Sequence, residues 1–535
     1  MNSDMDTNDI NAKNINDKNT GNIEVKEAKN EAKNNMAKDT LLYLPAKIIE
    51  GIIGILTLSA YTEFFKSEGF GIYNLSTVTV NIVSLFLLGW LFQSTYRYIN
   101  EFTGEKNIKV FYSTIAVAWM IISVFTVIIS IPVFLLIKNN PHYIGNIFKI
   151  DNITDFNISY VMTLIIFMFV TNGIFQILLT MLSAARVIRL YLVLSVFSAL
   201  FKLLITYFLV KFYSAGVYSA LLSIVVVDLA AAIAAIFRLK IYRYVNFSMF
   251  SKELMRKFMK YGIPLVGVSL SLSLLSYSDR YIITFFSGLS DVGKYSSNYS
   301  IASSVFSMLL FAIMRGVYPS ILKAWKQSSR DKTEELLSNG IRYYLLITVP
   351  AVVGISILSP IISGILDPSV AGGSITIVWV SIGMFFLGLS EYNNKAWELT
   401  SNTKPIFRNS LLCCLFNIVA NIILIPVFGY MAAAVNTTLA YLLYFLLSFF
   451  GGRKLLKWHL PYKTYIKIFG SAAVMGIIIY MMSKALPSGL YMLFILVPAG
   501  MAIYGVCLYI SGEIRAEMQQ LKISLISRIG NIRNG

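Results

Sequence analysis

Apolar side chains run along this chain in long blocks that short polar segments separate. Fourteen blocks are long enough to cross a bilayer as a helix, because each is close to or above the length that a hydrocarbon layer of about 30 Å requires. They lack the repeated ten-residue alternation of barrel strands, so they predict helices and exclude a membrane β-barrel. The blocks lie at about 41–62, 72–96, 110–137, 156–182, 189–210, 214–237, 261–286, 295–320, 341–366, 374–398, 405–425, 429–450, 465–483 and 489–511.

The composition agrees with a membrane protein. Hydrophobic residues make up 56% of the 535 residues, charged residues make up 13%, and the mean hydropathy is +0.68. A soluble protein could not bury so much apolar side chain in its cores, which excludes a soluble enzyme, a secreted disulfide scaffold and a disordered protein. The three cysteines and two histidines are too few and too poorly spaced for a disulfide framework or a histidine metal site.

The distribution of lysine and arginine predicts the topology. With the N-terminus inside, the inner segments hold 34 of the 45 Lys and Arg residues, and the outer loops hold six. This bias follows the positive-inside rule and predicts a multi-pass protein of the cytoplasmic membrane with both termini in the cytoplasm. It also accounts for the net charge of +18 without nucleic acid, because the basic residues are spread over many loops. The loops leave no room for a catalytic domain outside the membrane.

A weak internal repeat relates the two halves of the chain. Gly71-Ile72-Tyr73 opens one predicted span, and Gly293-Lys294-Tyr295 opens another, six spans and 222 residues later. Six is an even number, so the halves have the same orientation in the membrane. The repeat therefore predicts two six-helix lobes related by a pseudo-two-fold axis along the membrane normal, with a cavity between them.

The predicted fold is an all-α polytopic membrane protein with about fourteen transmembrane helices. Two C-terminal helices fall outside the repeat. The predicted parts are a disordered cytoplasmic tail (1–39), the first lobe (40–240), a cytoplasmic linker (241–260), the second lobe (261–455), the C-terminal helix pair (456–511) and a second cytoplasmic tail (512–535).

Ionisable side chains at membrane depth are costly to bury, so each is a candidate for function. The predicted substrate-binding cations of a central cavity are Lys47, Arg97, Lys202, Arg280, Arg315 and Lys395. The carboxylates that could couple transport to Na⁺ or a proton are Glu50, Asp228, Asp279 and Glu391. Polar residues that could contact sugars are Asn81, Gln93, Tyr96, Tyr277, Asn298, Asn393 and Asn394.

A structural interpretation stays open beside the functional one for each group. Lys202 could pair with Asp228 inside the first lobe, and Asp279 with Arg280 between packed helices. The remaining structural hypotheses are a Lys47/Glu50 pair at the inner interface, Arg97 and Arg315 as inner-interface anchors, and a self-neutralised helix face of Glu391, Lys395 and Glu398.

Two segments near the starts of the two halves carry recognisable patterns. They are Phe70-Gly71-Ile72-Tyr73-Asn74 with Gly89-Trp90 and Tyr96-Arg97-Tyr98, and Ser278-Asp279-Arg280-Tyr281-Ile282-Ile283 followed by Val292-Gly293-Lys294-Tyr295-Ser296. Both resemble the oligosaccharide (Wzx-type) flippases, the polysaccharide transporter branch of the multidrug/oligosaccharidyl-lipid/polysaccharide exporter superfamily. The resemblance covers residues 40 to about 450. The sequence differs from the lipid II flippase branch, which has an arginine in the first span where this chain has Lys47.

The resemblance implies a two-lobed α-helical flippase. Its expected cargo is a polyprenyl-(pyro)phosphate-linked oligosaccharide, moved from the inner to the outer leaflet by alternating access for cell-surface polysaccharide biosynthesis. The expected partners are this cargo and membrane lipids, with a glycan polymerase or another assembly protein as a further hypothesis, and the protein is expected to be a monomer.

Other functions stay open at this point. An ion-coupled multidrug/cation antiporter and a lipid II flippase share the superfamily, whereas a membrane glycan polymerase or ligase and a structural scaffold belong to other classes. The sequence contains no HExxH, GxSxG or CxxC motif, so we predict no catalytic residues and no metal site. It also lacks a GxxxxGK[ST] phosphate loop, so we expect no cofactor, and coupling to Na⁺ or protons is the hypothesis for the energy source.

Overall fold

The computed structural model describes residues 6–102, 104–140, 145, 157–487, 489–515 and 517–519, with side chains described from Ile49 onward. Within these residues, thirteen helices are long and apolar enough to cross a membrane. The first of them contains two crossings, because Lys66 interrupts it with a non-helical backbone conformation (φ 57°, ψ −167°). This agrees with the fourteen predicted crossings.

The helices follow the predicted order along the chain. The first lobe contains α1 (Asp6–Tyr98), α2 (Glu105–Asn139), α3 (Ile158–Ala184), α4 (Ile188–Tyr213) and α5 (Tyr218–Arg238). The second lobe contains α6 (Lys252–Ser287), α7 (Leu289–Lys326), α8 (Arg330–Ser363), the short α9 (Pro368–Ala371), α10 (Ser374–Leu399), α11 (Lys404–Phe428) and α12 (Tyr430–Gly452). The C-terminal pair is α13 (Tyr462–Ala485) and α14 (Tyr491–Ile510).

Lys66 divides α1 into a first arm, whose described side chains are 49–65, and a second arm, 67–98. Residues 6–48 precede the first arm, and their side chains lie outside the described residues. The cytoplasmic tail predicted over 1–39 therefore stays a prediction, as does the tail over 512–535, most of which is also outside the described residues.

Several helices extend beyond their apolar blocks. Helix α6 begins at Lys252, inside the predicted linker, because the Ser251 side chain caps it by accepting a hydrogen bond from the Leu254 N–H at 3.2 Å. The chain between α5 and α6 forms two short 3₁₀ turns, Ile241–Arg243 and Phe247–Met249. Hydropathy locates the apolar part of a helix and misses polar turns that continue it past the bilayer.

Each lobe has an apolar core of its own. The first is built around buried residues such as Leu88 and Leu221, and the second around residues such as Leu275 and Ile283. Helices α13 and α14 pack on each other and on α8, where Ile468 helps to form a third apolar cluster. Helix α1 packs against α6 and α7 and thereby joins the lobes.

The lobes also meet through a reciprocal contact between the two repeats. A methyl group added at Gly71 would overlap the carbonyl oxygen of Leu289, and one added at Gly293 would overlap the carbonyl oxygen of Ser67. Both pairs of equivalent residues, Gly71/Gly293 and Ser67/Leu289, are separated by the same 222 residues. Gly71 thus contacts the equivalent of the residue that Gly293 contacts. A two-fold axis generates such a reciprocal pair of contacts.

Candidate functional site

A cavity of about 650 Å³ lies where the first lobe faces the second. Both arms of α1, together with α3, α4 and α5, form most of its wall, and α7 contributes Ser300 and Ser304 from the second lobe. Glu50 and Lys202 are its ionisable lining residues. We call it the lobe-one cavity.

Lys202 connects this cavity to a buried carboxylate. The Lys202 Nζ lies 2.6 Å from Asp228 Oδ1, and the Asn172 amide donates a hydrogen bond to Asp228 Oδ2 at 2.9 Å. The Asp228 side chain is fully buried, whereas 23% of the Lys202 side chain is exposed. The pairing that the sequence left open is therefore present, and it leaves the lysine accessible at the cavity wall.

A second cavity, of about 590 Å³, lies in the second lobe among α6, α7, α10 and α12. Arg315, Glu391 and Lys395 line it. Lys395 Nζ donates to both oxygens of Glu398 at 2.7 Å and lies 3.8 Å from Glu391 Oε2. The predicted Glu391/Lys395/Glu398 face is thus bonded internally, while it also faces a cavity. We call this the lobe-two cavity.

One face of α7 lines both cavities. Ser300 and Ser304 face the lobe-one cavity, and Ser307, Met314 and Tyr318 face the lobe-two cavity. These residues are separated by three, four or seven positions, so they lie on one side of the helix. The two cavities are therefore successive along a single helix face.

Arg280 and Asp279 lie in a different setting, enclosed within the second lobe. Arg280 Nη1 is 2.6 Å from Asp279 Oδ1, with side chains 2% and 0% exposed. The guanidinium carbon is 4.4 Å from the ring centre of Tyr299 and 5.1 Å from that of Tyr277, and the Tyr295 hydroxyl donates to Asp279. Neither Arg280 nor Asp279 is among the described lining residues of the two cavities, so here the structure favours the helix-packing interpretation.

The other predicted cations also lie in different settings, one exposed near a helix end and one at a cavity wall. Arg97 is 55% exposed near the end of α1, where its Nη1 lies 2.9 Å from Glu101 Oε1, as expected of an interface anchor. The side chain of Lys47 lies outside the described residues. Arg315 lines the lobe-two cavity, with its guanidinium carbon 4.8 Å from the ring centre of Phe311.

The predicted sugar-contacting amides hold helices together. Asn298 donates to the carbonyl of Val370 at 2.9 Å, and Asn394 donates to the Tyr444 hydroxyl at 3.0 Å, both in buried positions. Asn393 accepts from the Trp458 indole at 2.9 Å. Among the described lining residues of the two cavities, none of the seven predicted sugar contacts appears.

The sequence analysis missed the polar and aromatic lining of the lobe-one cavity. Tyr61, Tyr73 and Tyr191 contribute aromatic rings, and Asn74 and Gln176 contribute amides. These residues lie inside apolar blocks, and hydropathy does not separate the face of a helix that lines a cavity from the face that contacts lipid. The charges of Lys202 and Glu50 were the signals that pointed toward this wall.

The lobe-one cavity is closed at the predicted outer end, beyond Phe70 and Tyr73. Lys66 Nζ is 2.6 Å from Asp367 Oδ2, and the Ser67 and Ser290 hydroxyl oxygens are 2.8 Å apart. These two pairs, the reciprocal contact of Gly71 and Gly293, and a hydrogen bond of 2.8 Å from Ser59 to the Ile365 carbonyl form what we call the outer seam.

The charge of Asp367 depends on this seam. Partial burial opposes ionisation of the carboxylate, but hydrogen bonds from the Lys66 side chain and from Ser369 outweigh it and lower the pKa of Asp367 below its ordinary value. The carboxylate is therefore held in its charged form while the lobes meet.

The second arm of α1 remains packed on α6 away from the outer seam. The Ser94 hydroxyl donates to the Phe258 carbonyl at 2.8 Å, and a methyl group added at Gly262 would overlap the backbone of Trp90. The lobes thus share a long contact on one side and the outer seam at one end.

Comparison with known proteins identifies the family. A family model described as polysaccharide biosynthesis protein matches residues 36–325, more than half of the chain. The chain belongs to this family. The match includes the predicted first lobe (40–240), α6 and most of α7. It therefore covers the lobe-one cavity and the outer-seam residues other than Ile365 and Asp367.

Curated relatives come from archaea. The chain is 29% identical over 261 residues to the probable flippase AglR of Haloferax volcanii, which covers 47% of this chain and 54% of that protein. It is 24% identical over 167 residues to the probable low-salt glycan biosynthesis flippase Agl15 of the same organism, covering 31% and 35%. It is 25% identical over 225 residues to an uncharacterized membrane protein of Methanocaldococcus jannaschii, covering 41% and 44%. The chain thus spans about half the length, or less, of the curated relatives it matches.

Solved structures show the fold. The lipid II flippase MurJ in an inward closed conformation matches with a TM-score of 0.70 at 17% identity, covering 89% of this chain and all of that one. A MOP superfamily transporter from Pyrococcus furiosus matches with a TM-score of 0.57 at 11% identity, covering 78% of this chain and 95% of that one. The predicted two-lobed helical fold is confirmed, and the chain is a multi-pass membrane protein.

Proposed function

We propose that this protein is a flippase that moves a polyprenyl-(pyro)phosphate-linked oligosaccharide from the inner to the outer leaflet of the cytoplasmic membrane. The observation that carries the proposal is a pair of successive cavities, closed at one end by the outer seam, in which Lys202, Arg315 and Lys395 provide cations at membrane depth. Membership of the polysaccharide biosynthesis family and the names of the probable flippases AglR and Agl15 support it.

The chemistry of the cargo explains why the chain carries cations at membrane depth despite the free energy that burying them requires. A sugar headgroup on a phosphate or pyrophosphate is anionic and hydrated, and it cannot cross hydrocarbon without a polar, charge-compensating path. Arginine holds phosphate oxygens with two parallel hydrogen bonds, and lysine acts as a point charge. Arg315 and Lys395 lie on two helices that face the same cavity, so both can approach one anionic group.

The arrangement of the contacts between the lobes supports alternating access as the mechanism in this proposal. The outer seam joins the turn of α1 at Lys66 to the beginning of α7 and to Asp367, so separating these short segments would open the lobe-one cavity outward. The contact between the second arm of α1 and α6 extends from Phe258 to Tyr281 along α6 and can serve as the line about which the lobes rock.

The test uses purified protein in liposomes containing a short fluorescent polyprenyl-pyrophosphate oligosaccharide, whose accessibility to a membrane-impermeant quencher is followed. We expect Arg315→Gln to slow transfer about 10- to 100-fold, since a hydrogen bond to a charged group contributes about 1.5–3 kcal/mol and about 1.4 kcal/mol corresponds to tenfold. Arg453→Gln is the matched control, because Arg453 is exposed at the end of α12. Wild-type protein that carries a cationic dye and leaves the glycolipid in place would contradict the proposal and favour the antiporter.

Ion coupling belongs to the same proposal. Asp228 and Glu391 are each bonded to a lysine that lines a cavity, so binding of Na⁺ or a proton at either carboxylate would change the charge that the cargo meets. We expect transfer in the same liposomes to slow when the ion gradients are collapsed. Transfer at an unchanged rate would exclude coupling and leave the flippase proposal intact.

A further inference from the structure

The two cavities differ in the chemistry of their walls. The lobe-one cavity combines the rings of Tyr61, Tyr73 and Tyr191 with the amides of Asn74 and Gln176, and the hydroxyls of several serines and threonines face it. Flat rings with convergent amides and hydroxyls suit sugar rings, which offer apolar C–H faces and many hydroxyl groups. The Oδ1 atom of Asn74 is buried and accepts no hydrogen bond from any described group, so an acceptor is available for a ligand hydroxyl.

The charges of the lobe-one cavity do not favour an anion. Its ionisable lining residues are Glu50 and Lys202, which have opposite charges, and Asp228 lies 2.6 Å behind the lysine. A phosphate group placed there would approach one cation and two carboxylates. This balance suits an uncharged part of the cargo better than its anionic part.

The lobe-two cavity has more cations and a more apolar wall. Arg315 and Lys395 line it with Glu391, and Glu398 lies 2.7 Å from the Lys395 Nζ, so two cations stand against two carboxylates where the lobe-one cavity has one cation and two carboxylates. Its remaining wall is mostly apolar, with Phe311 and Met314 among the side chains. An apolar surrounding strengthens the attraction between a cation and a phosphate. The same apolar wall suits the first isoprene units that adjoin the phosphate.

The spacing along α7 connects these two environments. Ser304 faces the lobe-one cavity and Arg315 the lobe-two cavity, and their separation of eleven positions along the helix corresponds to about 16 Å. We infer that the cargo binds in a fixed direction along this helix face, with its sugars in the lobe-one cavity and its phosphate at Arg315 and Lys395. The inference rests on the proposed function, and it assigns Asn74 and Gln176 to sugar recognition.

The experiment measures binding to purified full-length protein with two lipid probes, farnesyl pyrophosphate and the same lipid carrying an uncharged N-acetylated disaccharide on its pyrophosphate. Wild type should bind the glycosylated lipid more tightly than the sugar-free lipid. Asn74→Ala and Gln176→Ala should each remove about 3- to 10-fold of the affinity for the glycosylated lipid and leave the sugar-free lipid unchanged. Arg315→Gln should weaken both lipids by the same factor of about 10 or more.

The controls are Gln327→Ala, an exposed amide at the end of α7, and Arg453→Gln, and neither should change the affinity for either lipid. Three results would overturn the inference. They are equal losses of affinity for both lipids in the Asn74 and Gln176 variants, an unchanged affinity in Arg315→Gln, and no binding of either lipid to wild type. Binding is measured separately from transfer, so the two proposals can fail independently. If the variants show the expected binding affinities but the protein does not flip the glycolipid, the result supports the two subsites and contradicts the proposed function.

Discussion

The two lobes bury their ion pairs in different ways. In the first lobe, Lys202 reaches from a fully buried Asp228 to a cavity wall and keeps 23% of its side chain exposed. In the second lobe, Arg280 and Asp279 are both sealed, with tyrosine rings on the guanidinium. One pair reaches a cavity wall, and the other is enclosed within its own lobe.

The difference shows that charged side chains at membrane depth occur in two settings in this chain, one at a cavity wall and one enclosed by packing. In a sealed pair, the attraction between the partners offsets the cost of removing both charges from water, and removing one partner leaves the other charge uncompensated. A pair at a cavity wall is partly hydrated, so one partner can exchange its bond for a ligand. The exposed fraction of the cationic side chain, and not its position within an apolar block, distinguishes Lys202 from Arg280.

The largest effect is expected from breaking the sealed pair. Asp279→Asn leaves Arg280 charged without its carboxylate, and an arginine cannot lose its proton to relieve the cost. We expect the variant to lose about 3–5 kcal/mol of stability. Thermal unfolding of the detergent-purified protein measures this as a large fall in Tm, and a Tm equal to that of wild type would contradict the assignment of Arg280 to packing.

Breaking the accessible pair should cost less stability and more function. Lys202→Met leaves the Asp228 carboxylate with the hydrogen bond from Asn172, so we expect a loss of about 1–3 kcal/mol. Adding Asp228→Asn should restore most of the Tm, because both charges are then removed, whereas glycolipid transfer should remain slow. A double variant with full transfer would show that the Lys202 pair, too, is only structural.

The outer seam offers a steric test of the contact between lobes. Gly293→Ala places a methyl group against the Ser67 carbonyl, and we expect it to cost about 1–3 kcal/mol in the closed arrangement and to favour separation of the lobes. Spin labels at Tyr213→Cys and Phe428→Cys, exposed ends of α4 and α11, would report a longer distance. Gly354→Ala is the control, since an added methyl group there contacts nothing within 4 Å, and equal distances in the two variants would contradict the close contact.

The smallest effect concerns the salt bridge of the same seam. The pKa of Asp367 is lowered in the closed arrangement, so the bridge stabilises closure above the ordinary aspartate pKa and is lost as the pH falls through the lowered value. Because Lys66 is 61% exposed, the bridge contributes at most about 1 kcal/mol. The label distance should therefore lengthen slightly below about pH 4 in wild type and show no such step in Asp367→Asn. A step of the same size in both would assign it to another group.

The fold could be predicted from the sequence because a bilayer forces each crossing to satisfy its own backbone hydrogen bonds as a helix. The repeat predicted a pseudo-two-fold relation between the lobes but no contact at Gly71 and Gly293, and the close approach seen there shows why glycine is needed. The polar residues between the first two apolar blocks predict a loop between two spans. In the structure a single non-helical residue, Lys66, makes this turn.

The candidate site was predicted only in part. Lys202, Arg315 and Lys395 were identified from their charge alone, and all three line cavities. Arg280 had the same signal and is sealed in the second lobe, because the direction of a side chain around its helix depends on the neighbouring helices. Asn74, which has no charge to mark it, was missed for the same reason.

The most direct test of the account is a reversible cross-link across the outer seam. The Ser67 and Ser290 hydroxyl oxygens are 2.8 Å apart, so Ser67→Cys with Ser290→Cys should form a disulfide when the native cysteines Cys413, Cys414 and Cys507 are replaced by serine or alanine. We predict that oxidation stops glycolipid transfer in liposomes, that reduction restores it, and that each single-cysteine variant is unaffected by oxidant. Transfer at the wild-type rate by the fully cross-linked protein would contradict a mechanism in which the lobes must part at the outer seam.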